Sequence, residues 1–454
     1  MSVTSEIRDF TYGNITKQLV VFAMPLFLSN LLQVVYNMVD MIVVGNVLGE
    51  VGLSAVSIGG DISHFMTFFC MGFSSAGQVI IAQYIGAKHR ERLSRFISTM
   101  SGFLMFSAAV ISVICILLRE PILRLMNTPP EAFAEALSYS TICMVGLVFI
   151  YGYNIVSTIL RGMGDSRHPF VFISIAAVIN LILDILFVAV LHMGAGGAAL
   201  ATVLGQGFSF LCSLFFLSKH RKRFELEISI ADFWHWDLAM LLDLVKLGFP
   251  MAIKSASIQF SKLFVNSWIN SFGVAVSAFA GIANKFNSIS NLISNAMNTA
   301  GATMVGQNIA AREYGRVKQI MLNIFAISFA VAGVISAAIC LFPTQIFSIF
   351  TQEPEVLVIA YEYLFVAVLI FFGSAARAGM NALINGSGNY RINFVTAILD
   401  GIVMRIGLAL LFGLALDLKY VGFWLGDAVA GFTPFVIGLV FYHTGLWKKG
   451  RGKA

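Results

Sequence analysis

The chain has 454 residues, of which 58% are hydrophobic and 11% charged, and a formal net charge of +6. At roughly 150 residues per domain the length alone suggests three soluble domains, but soluble domains carry about 25% charged residues. So little charge excludes a wetted surface and, with it, the aqueous enzyme classes. The basic excess reads as a topology signal rather than a nucleic-acid footprint, because Lys and Arg collect in the cytoplasmic loops of membrane proteins. Cys70, Cys115, Cys143, Cys212 and Cys340 all fall in apolar stretches without metal-ligand spacing; such thiols are packing groups.

Apolar stretches run at 18–44, 54–84, 97–118, 134–158, 170–191, 197–217, 247–270, 278–305, 319–341, 358–384, 393–416 and 420–443. Each exceeds the 9–11 residues of a membrane strand and approaches or passes the roughly 20 of a membrane helix. The expected fold is therefore all-α and polytopic, with twelve transmembrane helices, here called spans 1 to 12. The first stretch is too long for a cleavable signal and contains Pro25 and Asp40.

With the N-terminus inside, 21 of the 29 Lys and Arg fall on the cytoplasmic side, among them Lys88, Arg90, Lys219, Arg221, Arg312, Arg316, Lys448, Lys449, Arg451 and Lys453. Only Arg119, Arg124 and Lys419 face the other way. That asymmetry predicts both termini in the cytoplasm. The longest polar connection sets the expected organisation: an N-terminal lobe at 1–217, a cytoplasmic linker at 218–246, and a C-terminal lobe with a basic tail at 247–454.

The chain also matches itself at a spacing of about 224 residues. Pro25 meets Pro250; Gln83, Ile85 and Ala87 meet Gln307, Ile309 and Ala311; Pro130-Glu131 meets Pro354-Glu355. Gly162, Gly164 and Arg167 meet Gly386, Gly388 and Arg391, the glycines reading as turn residues. Six helices thus repeat as six, giving two pseudo-symmetric bundles of equal orientation, an arrangement of carriers whose halves rock about a central site.

An ionised side chain at mid-bilayer costs at least about 2.5–3.5 kcal/mol, so each needs a reason. Span 1 carries Gln33, Tyr36, Asn37 and Asp40 on one helical face; span 5 carries Asn180 and Asp184 four apart; span 6 adds Thr202 and Gln206. Asp40 and Asp184 have no basic residue within these spans, and protonation or Na⁺ capture would remove a buried charge. Gln33, Asn37 and Gln206 could equally be interhelical hydrogen bonds worth about 0.6 kcal/mol each. The second half instead holds bases, Lys254, Lys262, Lys285, Arg377 and Arg405, against Asp400 and Asp427. Lys254 and Arg377 are expected to pair with Asp400 or with the acids of the first half. Lys262 and Asn266 share a face of span 7, and Asn284, Asn287, Asn291, Asn295 and Asn298 stripe span 8. Candidate substrate-cavity residues are Gln33, Tyr36, Asn37, Asn154, Gln206, Lys254, Lys262, Asn266, Asn287, Arg377 and Asp400. There is no phosphate-binding G-x-x-x-x-G-K-[ST] loop, so a gradient must drive any transport unless a separate subunit hydrolyses ATP.

Several segments together resemble the multidrug and toxic compound extrusion (MATE) family. They are Leu32-Gln-Val-Val-Tyr-Asn-Met-Val-Asp40 running into Val44-Gly45, Gln83-Tyr-Ile-Gly-Ala87, Leu160-Arg-Gly-Met-Gly-Asp165, Asn180-Leu-Ile-Leu-Asp184 and Gly197-Ala-Ala-Leu-Ala-Thr202, in family order across residues 15–445. The resemblance implies two six-helix lobes in a V and export of bulky, often cationic, compounds against H⁺ or Na⁺. It carries a cation site onto Asp40, Asn180, Asp184 and Thr202, with Na⁺ a possible occupant. A second family pattern, with acids in the other lobe, is not met: its Glu falls near Ser257, Ile258 and Gln259, and its Asp at about Gly373. The expectation is a non-enzymatic, cofactor-free, monomeric exporter in the plasma membrane of a prokaryote. It would handle small organic molecules within the bilayer and bind no nucleic acid. The alternative is a flippase for a lipid-linked anionic precursor, which the bases of the second half would suit.

Overall fold

Helix ends recur at matching places in the two halves of the chain. The computed structural model describes residues 7–227 and 230–449, so Arg451 and Lys453 of the basic tail lie outside the described residues. Arg90–Leu117 and Tyr314–Leu341 are related by one spacing at both ends, and so are Pro130–Gly162 and Pro354–Gly386. Both members of the second pair begin on a proline, which lacks the N–H that a first helical turn leaves unpaired. Gly49 and Gly273 break the chain between spans 1 and 2 and between spans 7 and 8, with φ of 64° and 114°. Only glycine enters that region without cost. Gly164 and Gly388 also have positive φ, as their reading as turn residues requires.

Nine helices among the described residues are long and apolar enough to cross a membrane. The first, Ile15–Gly86, holds spans 1 and 2 on either side of Gly49. Leu238–Asn270 and Val274–Ala310, richer in polar side chains, supply spans 7 and 8 and complete the twelve. Span 5, Arg167–Asp184, runs into a π-helical turn at Ile185–Val190. Span 11 starts at Tyr390–Ile398 and contains two such turns, Leu399–Val403 and Leu411–Ala415. The chain is thus a multi-pass membrane protein. Its apolar residues point outward as well as inward, with Phe65, Phe215, Leu263, Val334 and Phe365 exposed; acyl chains rather than water suit that surface.

Two compact units form. In the first, Met24–Gly248, span 4 (Pro130–Gly162) packs on spans 3 and 6, and span 5 packs on span 6. Gly162 allows close approach to span 2: a Cβ there would sit 2.7 Å from Ile81. In the second unit, span 10 (Pro354–Gly386) packs on spans 8, 9 and 12. Gly386 plays the matching part, where a Cβ would meet the Ala302 carbonyl oxygen at 2.7 Å.

The described linker belongs to the first unit. Arg90 pairs with Glu225 at 3.0 Å, Arg95 with Asp237 at 3.1 Å, and the Trp236 ring meets Phe103 and Phe106. The segment Phe10–Ala23, which the sequence groups with the first lobe, packs with the second unit. Its anchor is Phe10, buried, whose N–H donates to Gln307 Oε1 at 2.9 Å. The Phe10 carbonyl accepts from Arg316 Nη2 at 3.0 Å and from Asn308 Nδ2 at 3.1 Å.

Candidate functional site

In the first unit three spans bring Asp40, Asn180, Asp184 and Thr202 together. One helical turn separates Asn180 from Asp184, so both project from the same face of span 5, and both are buried. Span 6, Gly194–His220, sets Thr202 against them: Asn180 Nδ2 donates to Thr202 Oγ1 at 3.3 Å. The Thr202 hydroxyl donates back to the Ala198 carbonyl at 3.1 Å, which leaves its lone pairs facing Asn180. Span 1 contributes Asp40, the buried end of a face whose other polar members, Gln33 and Asn37, are exposed and whose Tyr36 is half-buried.

Asp40 and Asp184 lie within electrostatic reach of one another. Two carboxylates are both acceptors, so their approach makes no hydrogen bond by itself. Asp40 Oδ1 and both oxygens of Asp184 are buried without a partner. Buried charge in that condition is costly, and a bound proton or small cation would relieve the cost. The site's oxygens, from two carboxylates, an amide and a hydroxyl, are the donor type that hard cations take. A cleft of about 10 Å³, close to the volume of one water-sized sphere, adjoins them and is lined by Tyr36, Asn180, Thr202 and Gln206. Asp184 is also the last residue before the π-helical turn Ile185–Val190, a local irregularity found often at functional positions.

Sequence reasoning missed the groups around the acids. Tyr139 and Cys143 of span 4 are buried within the field of Asp40. The available signal was the match of Tyr139 with Tyr363 in the repeat, since a polar ring kept in both halves of an apolar chain has a structural task.

The second unit is organised around Arg405. Its guanidinium donates to Asp427 through Nη1 and to Asp400 through Nη2, the latter at 3.3 Å. The pairing expected between Asp400 and Lys254 or Arg377 is therefore absent: Arg405, five residues from Asp400 across a π-helical turn, holds that carboxylate. Asp400, 1% exposed, is enclosed rather than lining a cavity. Lys254 Nζ instead donates to Asn381 Oδ1 at 2.8 Å. Arg377 Nη2 donates to Asn291 Oδ1, and to Ser374 Oγ at 3.0 Å. Lys262, Asn266 and Asn287 are half-buried. Asn154 stands apart in the first unit, its amide bonded to the Ile150 carbonyl of its own helix at 2.8 Å.

The MatE family model matches residues 25–186 and 250–411, one match in each half. The chain is 31% identical over 440 residues to "Probable multidrug resistance protein YpnP" of Bacillus subtilis (strain 168), covering 97% of each protein. Among solved structures it resembles "Crystal structure of MATE in the bent conformation" with a TM-score of 0.89 at 23% identity, covering 98% of this chain and 99% of that one. A "MOP superfamily transporter from Pyrococcus furiosus", described as having a reversed polarity of its binding pocket, gives 0.89 at 22% identity, covering 97% and 98%. At such identities the structural likenesses establish the fold.

Proposed function

The chain belongs to the MatE family of multidrug and toxic compound extrusion transporters, and from that premise we propose that it is a secondary exporter of bulky organic compounds, coupled to H⁺ or Na⁺ through Asp40, Asn180, Asp184 and Thr202. One observation carries the coupling site: two buried carboxyl groups, neighbours in one unit, each within reach of the other's charge. A proton shared between them turns two acceptors into a hydrogen-bonded pair; a Na⁺ does the equivalent through coordination. Either event discharges the buried pair and alters which packing of span 1 is favoured, while loss of the ion restores the repulsion.

A membrane potential of about 100 mV supplies about 2.3 kcal/mol for each charge moved inward, enough to drive modest accumulation outside. The distribution of Lys and Arg supports a cytoplasmic position for both termini, and the bacterial relatives support a prokaryotic plasma membrane as the site of action. The test is ethidium efflux from proteoliposomes under separate pH and Na⁺ gradients, for wild type and Asp184→Asn. Efflux that follows one gradient and is lost in the variant names the ion. Efflux unaffected by Asp184→Asn overturns the site.

A second reading, a flippase for a lipid-linked anionic precursor, is favoured by Lys254 and Arg377, which sit in spans and bond to neutral groups alone. Wild-type protein that moves no dye under either gradient, but translocates an anionic lipid headgroup, would replace the first reading by this one.

A further inference from the structure

Lys254, Lys262 and Arg377 of the second unit stand in spans outside any salt bridge among the described residues, as does Lys285, which is exposed on span 8. Lys254 and Lys262 lie on span 7 and Arg377 on span 10. Among the described residues none of them has a carboxylate within ion-pairing distance, because Arg405 holds both Asp400 and Asp427. The partners of Lys254 and Arg377 are Asn381, Asn291 and Ser374, groups that orient a cation without neutralising it. An ammonium has three donors and a guanidinium five. Lys254 uses one toward Asn381, and Arg377 spends only Nη2, so donors on both remain open. Both side chains are half-buried and each lies within the field of the other.

Hydroxyl groups continue the polar surface beyond Arg377. Ser374 lines a small cavity with Ser290, Ser294 and Ser328, and the Ser328 hydroxyl is buried there without a partner. Arg405 faces two acids, which leaves one negative charge against Lys254, Lys262 and Arg377, and these exceed it by two. Lys and Arg inside spans otherwise mark the path of something that carries the opposite charge.

We propose that Lys254 and Arg377, with Lys262 as a third positive charge, form a binding site in the second unit for an oxyanion, the carboxylate or phosphate group of an amphiphilic organic compound. The guanidinium and ammonium supply charge-assisted hydrogen bonds, while Asn381, Asn291 and Ser374 hold them in place. This deepens the export reading, resting on it only for the statement that the bound molecule is then moved.

The test compares two dyes of one ring system on full-length protein in detergent: rhodamine 110, with a free carboxylate, and rhodamine 123, its methyl ester. Fluorescence polarisation should show the acid binding at least about tenfold tighter than the ester, a difference of about 1.4 kcal/mol. In Lys254→Gln and Arg377→Gln the acid should lose that advantage while the ester's affinity holds; Arg377→Lys, which keeps the charge, should retain much of it. Equal affinity of wild type for the two dyes overturns the proposal, as does equal loss of both in the variants. The wild-type comparison stands even where a variant fails to fold.

Competition separates the sources of the anion. Displacement of rhodamine 110 by dioctanoyl phosphatidylglycerol, but not by the phosphatidylcholine of equal chain length, points to a lipid headgroup. Displacement by benzoate or inorganic phosphate points to a soluble anion, and displacement by none of them overturns the site. No gradient is involved, so failure of ion coupling at Asp40 and Asp184 leaves this result intact. Failure of the anion site equally leaves gradient-driven export standing.

Discussion

At matching positions of spans 4 and 10 the first half has Tyr153 and Ser157 where the second has Arg377 and Asn381. The helices that carry them begin and end at corresponding residues, on corresponding prolines and glycines. Asp40 and Asp184 have no acidic counterparts in the second half, and Arg405 has no basic one in the first. Duplication therefore preserved what sets the backbone, namely helix length, the glycine contacts and the turns, and left the intramembrane charges free to diverge. One unit ended with two carboxyl groups short of partners. The other ended with one arginine between two acids and four further bases, Lys254, Lys262, Lys285 and Arg377.

The sharpest way to break this comparison is to neutralise one acid from each half. Asp184→Asn should reduce gradient-driven efflux to the level of protein-free liposomes, whereas Asp400→Asn should stay active, since Arg405 keeps Asp427 as its partner. The reverse outcome would move coupling to the second unit.

Stability should separate the halves in the opposite sense. Arg405→Met leaves two buried carboxylates without their cation and should cost about 3–5 kcal/mol, read as a lower thermal unfolding midpoint in detergent. Asp184→Asn orphans no partner and should not lower that midpoint. A smaller contrast lies at the paired glycines. The obstacle to a Cβ at Gly386 is the backbone carbonyl of Ala302, while at Gly162 it is first the side chain of Ile81. Gly386→Ala should therefore be the more destabilising, in the range of about 1–3 kcal/mol expected for overpacking, because the Ala302 carbonyl oxygen comes to 2.7 Å there, whereas the backbone oxygen facing Gly162, that of Gln78, stands at 3.1 Å. Equal losses would mean that the two helix pairs yield alike.

The number of crossings and their repeat were legible in the sequence because both rest on local properties, apolar length and the recurrence of Pro, Gly and polar residues in an apolar background. The acids of the first unit were partly legible. Asn180 and Asp184 are four apart and must share a face, but that Tyr139 and Cys143 stand beside Asp40 depends on how span 4 meets span 1. Least legible were the partners of the bases. Lys254 bonds to a residue 127 positions away, and Arg377 to one 86 away. The nearest acid in a list of charges looked like a partner until Arg405 claimed it. The allegiance of Phe10–Ala23 is of the same kind, since it rests on bonds to Gln307, Asn308 and Arg316 that no periodicity records.

The finest test of the comparison concerns one pair of helix caps. Asp165 Oδ1 accepts from the N–H groups of Arg167 and His168, at 3.0 and 3.2 Å, at the start of span 5. Asn389 Oδ1 accepts from Arg391 and Ile392, at 3.1 and 3.3 Å, at the start of span 11. Geometry is conserved between the halves and charge is not, so the pair isolates the electrostatic part of capping. Removing either cap with alanine should cost about 1 kcal/mol. Asp165→Ala should cost more, because a carboxylate also meets the positive end of the helix dipole, worth about 0.3–1 kcal/mol, and its second oxygen contacts His168 Nδ1. Exchanging the residues sharpens the point: Asn389→Asp should raise the unfolding midpoint slightly and Asp165→Asn should lower it. If both exchanges are silent, the two halves differ here in sequence alone, and the divergence that matters is confined to the membrane interior.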